Sequence, residues 1–87
     1  MGEYRIVLKK SAAREIEALP TKRERQRIVD HILALAFDPR PVGSEKLAGH
    51  EDRHRVRQGR YRIVYSITDE VLTVVVVKAA HRKEVYR

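Results

Sequence analysis

The side chains best suited to chemistry are the arginines of residues 53–65, RHRVRQGRYRIVY. This stretch holds five arginines in its first ten positions and no acidic residue. A guanidinium stays charged at physiological pH and can donate two parallel hydrogen bonds to the oxygens of a phosphate. Like charges that face each other across a sheet destabilise it by up to about 1 kcal/mol per pair, so folding alone does not explain the cluster. The stretch therefore predicts a surface that binds a polyanion.

The same residues alternate with period two, which predicts a β-hairpin with Gln58-Gly59 as its two-residue turn. That turn sets Arg57 opposite Arg60 and Arg55 opposite Arg62. One face then carries the apolar and aromatic side chains Val56, Tyr61, Ile63 and Tyr65, with His54 at its end. The other face carries Arg53, Arg55, Arg57, Arg60 and Arg62.

The composition fits a small protein with an acidic partner. The chain has 87 residues, a formal net charge of +7 and no cysteine, so it can build one core and has neither disulfides nor thiolate metal sites. Residues 1–10 lack a signal-peptide pattern, and no apolar run approaches the roughly 18 residues of a membrane span. We expect a single domain over residues 1–87, soluble and cytoplasmic. Nucleic acid is favoured over a membrane surface, because the charge does not lie on an amphipathic helix.

Two helices are predicted before the hairpin. Ser11 is a candidate N-cap for a short helix that Pro20 ends, and Thr21 with Glu24 has the form of a capping box. The second helix extends to Phe37 and should be the main cover of the sheet. Its basic side chains and its histidine, Lys22, Arg23, Arg25, Arg27 and His31, are expected to be solvated and without a chemical role.

The remaining segments are predicted to be strands. Residues 3–9 alternate, a tight turn is expected at Asp69-Glu70, and residues 71–77 are apolar on both faces, which is typical of a central strand. The tail over residues 78–87 is basic. The fold class is therefore α+β, a small two-layer domain of order β-α-α-β-β-β with a basic C-terminal tail. We expect a mainly antiparallel sheet with two helices on one face and the arginine face open or only partly covered by the tail.

This order of elements resembles the RelE/ParE toxin superfamily, and in particular its RelE branch. The stretches that carry the resemblance are GRYRIVY over residues 59–65 and DEVLTVVVVKAAHRKEVYR over residues 69–87. The resemblance covers nearly the whole chain, and it implies the toxin of a type II toxin–antitoxin pair. Such a toxin cuts messenger RNA in the ribosomal A site without a metal or other cofactor. The resemblance also implies a cognate antitoxin, acidic and RelB-like, with ribosome and mRNA as the other partners.

The resemblance assigns the phosphate chemistry to the hairpin. Arg62 matches a functional arginine of the family, and Arg55 and Arg57 lie where its members have basic strand residues. Arginine suits the stabilisation of a pentavalent phosphate and not proton transfer, because it does not lose its charge. The residues expected to bind RNA phosphates are Arg53, Arg55, Arg57, Arg60 and Lys46.

A proton carrier must deprotonate the 2′-hydroxyl and protonate the leaving 5′ oxygen. Tyr86 matches the C-terminal tyrosine of the family and serves if nearby positive charge lowers its pKa from about 10. His81 has an ordinary pKa near neutrality. Arg82 matches a basic residue ahead of the tyrosine, and the spacing of HRKEVY leaves open whether His81 or Arg82 takes the role of that residue. His54, on the core face of the hairpin, is expected to be structural.

Two other functions stay open. A ParE-like inhibitor of DNA gyrase would use a similar fold, and a non-catalytic RNA-binding module would need only the basic hairpin. A magnesium nuclease is disfavoured because the arginine face has no acid cluster. Ser11 and Ser66 have no evident base partner, which argues against nucleophilic hydrolysis.

Overall fold

The structure is a computed structural model and describes residues 3–49 and 52–81, without the side chain of His81. Its helices and strands are β1 (Arg5–Leu8), α1 (Lys10–Glu17), α2 (Lys22–Ala34), β2 (Glu45–Lys46), β3 (Arg53–Gln58), β4 (Tyr61–Thr68) and β5 (Thr73–His81), with a 3-10 turn at Asp69–Val71. Within the described ranges the strands form one sheet in the order β1-β5-β4-β3-β2. Only the β1–β5 pair is parallel. The predicted α+β fold is confirmed, with the two-residue strand β2 as an addition.

Helix α1 begins without the predicted cap. Lys9 is the N-cap and Ser11 lies inside the first turn, where its hydroxyl donates to the Val77 carbonyl at 3.4 Å. The backbone N–H of Lys9 donates to the Val76 carbonyl at 3.0 Å. The prediction of Ser11 as N-cap was wrong because the sheet, and not a side chain, sets the point where the strand becomes a helix.

Helix α2 begins as predicted. Thr21 is its N-cap and accepts from the Glu24 N–H at 3.1 Å, and the Thr21 hydroxyl donates to the Glu24 carboxylate at 3.0 Å. The helix ends at Ala34, three residues before Phe37, and single-turn hydrogen bonds follow it. The shorter helix α1, not α2, makes the more extensive contact with the sheet, through β5. Neither helix, as far as the chain is described, is long and apolar enough to cross a bilayer.

The core lies between the two helices and one face of the sheet. Each aliphatic side chain buried there contributes roughly 1.5–3 kcal/mol by its removal from water. The helices and the residues that directly follow them supply Ala12, Ile16, Leu19, Ile28, Ile32 and Leu35, and the sheet supplies Val56, Ile63, Tyr65, Ile67, Val74, Val76 and Ala79. This layer fixes the hairpin from one side and leaves the arginines on the other.

The hairpin turn is Gly59-Arg60, one residue later than predicted. Arg57 therefore pairs with Arg62 and Arg55 with Val64. Gly59 has a φ of +60° and takes the first central position, as in a type II′ turn, whereas the prediction gave it the second. Because the partner of each residue moves by two positions, every strand residue keeps its predicted face. Arg60 alone leaves the strand.

Strand β5 lies between β1 and β4, so its predicted central place is confirmed. It continues to His81, four residues beyond the predicted end at residue 77. A bulge at Val77 separates the pairs Tyr65–Val76 and Val64–Lys78. The extra residue resets the alternation, so that Ala79 joins the core face and Ala80 lies opposite Arg62 on the other face.

Candidate nucleic-acid interface

The sheet face away from the helices carries a row of cationic side chains on β3. Arg53 and Arg55 are partly buried and Arg57 is exposed. The side chain of Arg57 makes no hydrogen bond or ion pair with any residue that the structure describes. The hairpin thus presents an uncompensated guanidinium directly opposite Arg62. A phosphate that approaches this face meets Arg57 first.

Arg55 is paired with an acidic residue, Glu45, that the sequence did not reveal as its partner. Glu45 on β2 pairs with Arg55 on β3, and their side chains form an ion pair. The Arg55 side chain is 13% exposed, whereas Glu45 lies largely in solvent. An RNA phosphate would have to compete with Glu45 for this guanidinium. Lys46, the next residue on β2, is exposed at the edge of the same sheet opposite His54.

Arg62 is 1% exposed, so the face that was expected to be open or only partly covered is fully covered at this position. It lies in β4 between Arg57 on β3 and Ala80 on β5. Val64, two residues further along the same face, is also buried. In this conformation Arg57 is exposed and Arg62 lies beneath the surface.

His54 packs on the core side of the hairpin, as predicted. Its ring stacks on Tyr65 with 5.9 Å between ring centroids, and the Tyr65 hydroxyl donates to the Pro39 carbonyl at 2.8 Å. Burial, and then the charges of Arg40 and Lys46, lower the pKa of His54 from its ordinary value. Burial raises the pKa of Tyr65. Both groups are therefore kept neutral, which fits a structural role.

A polar network that the sequence did not reveal ties the loop after α2 to the turn after β4. Arg40 contacts Asp69 at 2.9 Å, and the Tyr4 hydroxyl donates to the same carboxylate at 2.6 Å. Hydrogen bonds from Arg40 and Tyr4 hold the pKa of Asp69 below its usual range. The network lies at the end of the sheet remote from the hairpin turn, so we give it a structural role.

The turn of the hairpin is fastened to α2 by two side-chain contacts. His31 Nδ1 lies 2.8 Å from Gln58 Oε1, and the Tyr61 hydroxyl donates to Glu24 Oε2 at 2.6 Å. The hydrogen bond from Tyr61 is the main cause that lowers the pKa of Glu24. His31, which was expected to have no role beyond the helix surface, therefore helps to position the hairpin.

The end of β5 is held by Glu15 of α1. Its carboxylate accepts from the Ala79 N–H at 3.1 Å and lies 3.3 Å from Lys78 Nζ. β1 ends its pairing at Val76, so Glu15 satisfies a strand amide that β1 does not reach. His81 follows, with its backbone paired to Tyr61. The other two candidates for catalysis, Arg82 and Tyr86, lie outside the described residues.

No three His, Asp or Glu side chains in the described ranges are close enough together to hold a metal ion. The arginine face presents Arg57 exposed, Arg55 compensated by Glu45, and Arg62 buried. Lys46 is paired with His54 and therefore lies toward the other face of the sheet. Such a surface binds and orients phosphates, and it supplies positive charge near a pentavalent phosphorus.

Comparison with known proteins decides the family. A family model for the ParE toxin of the type II toxin–antitoxin system parDE matches residues 6–86. The chain belongs to the RelE/ParE superfamily of type II toxins. Toxin RelG of Mycobacterium tuberculosis is 33% identical over 97% of both chains. Toxin RelE of the same organism is 30% identical over 97% of this chain and 87% of the relative.

Solved structures of superfamily members have the same fold. The toxin–antitoxin complex RelBE2 of Mycobacterium tuberculosis aligns with a TM-score of 0.81 at 29% identity, over 94% of each chain. The RelE–RelB complex of Pyrococcus horikoshii aligns with a TM-score of 0.80 at 27% identity, over 92% of this chain and 96% of that one. The resemblance stated from the sequence is confirmed, and the protein is a RelE-family toxin of a toxin–antitoxin system.

Proposed function

We propose that this toxin inhibits translation by cleaving messenger RNA in the ribosomal A site, as a metal-free endoribonuclease. The observation that carries the proposal is the β3 face, where Arg57 is exposed and uncompensated within the described structure, directly opposite Arg62. In the reaction the 2′ oxygen attacks the adjacent phosphorus, the bond to the 5′ oxygen breaks, and a cyclic phosphate and a 5′-hydroxyl result. Arginine stabilises the charge on phosphorus.

The arginines have separate roles in this proposal. Arg57, with Arg53, Arg55, Arg60 and Lys46, binds backbone phosphates and holds the message. Arg62 stabilises the pentavalent phosphate, and because it is 1% exposed, the message must first open the surface above it. The favourable free energy of binding at the exposed cations offsets the free energy that is needed to open the surface above Arg62.

Proton transfer is assigned to the C-terminal segment, on the strength of the family resemblance. Tyr86 is the first candidate, His81 the alternative, and Arg82 adds charge stabilisation. One observation supports this assignment: β5 extends to His81 and pairs with β4, the strand that carries Arg62.

We further propose that an acidic, RelB-like antitoxin blocks this toxin in the cytoplasm. RelE proteins of Mycobacterium tuberculosis and Pyrococcus horikoshii form complexes with RelB antitoxins. In this chain Leu33 at the end of α2 is half exposed and Phe37 is 73% exposed. Large exposed apolar side chains at the end of a helix and just beyond it suit the apolar face of an amphipathic partner helix, while the acidic residues of that helix suit the charge of +7.

Gyrase inhibition is the second candidate, because the matching family model carries the ParE name. Induction of the toxin without its antitoxin separates the functions. If the toxin is a ribonuclease, protein synthesis should stop, messages should be shortened, and chromosomal DNA should stay intact. A gyrase poison would instead damage DNA and relax plasmids while messages stay whole. A binding module would do neither, and non-toxic expression of the chain alone would count against every toxin function.

A further inference from the structure

The hairpin turn and helix α2 form a rigid cleft on the opposite side of the turn from the arginine face. The two contacts that fasten them, His31 to Gln58 and Tyr61 to Glu24, measure 2.8 and 2.6 Å. Glu24 and His31 are seven residues apart, or two helical turns, and therefore share one face of α2. One contact lies on each side of the turn, which prevents the hairpin from swinging away from the helix.

Arg27 lies between these two contacts on the same face of α2, three residues after Glu24 and four before His31. Its side chain and that of Arg60, in the turn, line one cleft of about 180 Å³, whose wall includes Gly59 and Ile28. The proximity of these two arginines was not predictable from their spacing in the sequence. They meet because the turn is Gly59-Arg60 and because it packs against α2.

Two arginines and one carboxylate, that of Glu24, line the cleft, so its net charge is positive. The side chains of Arg27 and Arg60 have no hydrogen bond or ion pair to any part of the chain that is described. Glu24, the acid in the cleft, accepts from Tyr61 and Thr21, and the charge of Arg60 is a lesser influence on its pKa. Asp30, beyond Arg27, accepts from Gln26 at 2.8 Å.

We propose that the cleft between Arg27 and Arg60 binds a backbone phosphate of ribosomal RNA. The inference rests on the proposed function for its partner, the ribosome. Arg57 precedes the turn and Arg60 lies in it, so the uncompensated cations continue from the arginine face round the turn to α2. A polyanion larger than one message strand can contact both sides of this edge. Because the cleft faces away from Arg62, it holds the toxin on the ribosome and takes no part in the cleavage step.

The test measures toxin binding to purified ribosomes without message, as a function of salt. Arg27→Gln with Arg60→Gln should lower the affinity about 10-fold or more and reduce the slope of log affinity against log salt by about two. Arg27→Lys keeps the charge and should retain most of the affinity. Arg14→Gln removes an equivalent exposed charge from α1 and serves as the matched control, with binding unchanged.

Three results would overturn the inference. The first is a double variant that binds ribosomes as tightly as the unaltered protein. The second is a loss of ribosome affinity that appears only when message is present. The third is a double variant that binds the antitoxin more weakly but binds ribosomes normally. Failure of the proposed function looks different. A toxin that binds ribosomes through Arg27 and Arg60 but never cuts the message would support the cleft and refute the nuclease.

Discussion

At the scale of single residues, the account depends on a buried guanidinium. Arg62 is 1% exposed in the middle of the sheet. A buried charge is costly to desolvate, and removing one member of a buried polar contact is destabilising because the other member is left unsatisfied. A substitution at Arg62 must therefore be followed by two measurements, the unfolding midpoint and the cleavage rate.

Arg62→Met should lower the thermal unfolding midpoint, and at a temperature where the variant stays folded single-turnover cleavage on saturating ribosome complexes should fall by about 10² or more, a loss of roughly 2.7 kcal/mol in transition-state stabilisation. Ribosome affinity should change little, since the exposed arginines supply it. Arg57→Met is the control for charge loss on the same face, and it should weaken binding more than it slows the bound complex. A fully active Arg62→Met protein would assign Arg62 to the sheet alone.

His54 gives the fold a dependence on acid. Burial, with the charges of Arg40 and Lys46, lowers its pKa from the ordinary value of 6.5, although Asp52 acts in the other direction. The folded state thus disfavours the protonated ring, and the stability that this adds is complete above pH 6.5 and is lost as the pH falls below it.

His54→Phe keeps a ring for the stack on Tyr65 but cannot take a proton. Between about pH 7 and about pH 5 the unfolding midpoint of the variant should fall less than that of the unaltered protein. The acidic side chains titrate in both proteins, so their effect cancels in the comparison. Parallel curves for the two proteins would show that His54 is not desolvated.

At the scale of elements, the contact between Glu15 and the end of β5 carries the clearest prediction. Glu15→Ala leaves the Ala79 N–H without its acceptor beside a buried residue, which should cost about 1–3 kcal/mol of unfolding free energy. Glu15→Gln keeps an acceptor and loses only the half-exposed ion pair with Lys78, so most of the stability should return.

Urea unfolding of Glu15→Ala, Glu15→Gln and the control Glu17→Ala, an exposed acid on the same helix, measures these terms. Amide exchange at Ala79 should accelerate in Glu15→Ala alone. Equal stability of the alanine and glutamine variants would mean that the ion pair, and not the strand amide, is what Glu15 contributes.

Elements that depend on neighbouring residues were predictable from the sequence. The Thr21–Glu24 cap, the apolar strand β5 and the two faces of the hairpin all follow from local spacing. The start of α1 was not, because an amide contact between Lys9 and Val76, distant in sequence, overrides the cap at Ser11. The turn was placed one residue early because a glycine with positive φ suits either central position of a two-residue turn.

The sequence predicted which residues form the site but not how exposed each of them is. Four of the arginines, Arg53, Arg55, Arg57 and Arg62, were assigned to the correct face, since a period of two survives the shift in register. The assignment of Arg60 to that face was wrong because Arg60 lies in the turn. The burial of Arg62 and the bulge at Val77 leave no local signal in the sequence. The same is true of the compensation of Arg55 by Glu45 and of the meeting of Arg27 with Arg60.

At the scale of the whole molecule, charge and family point to the same partners. A net charge of +7 on 87 residues suits both of the proposed partners, RNA and an acidic antitoxin. The arginine face and the exposed apolar side chains of α2 lie on different sides of the sheet. We propose that an antitoxin binds the exposed apolar side chains at α2 and also covers the arginine face. Removal of the antitoxin would then expose both surfaces.

Primer extension on a defined message in a stalled translation complex tests whether the toxin cleaves message in the ribosomal A site. We predict a new 5′ end within the codon in the A site when the toxin is added. That end should be absent from free message and from complexes treated with Arg62→Met. Intact message at every codon, with toxin bound to the ribosome, would contradict the account.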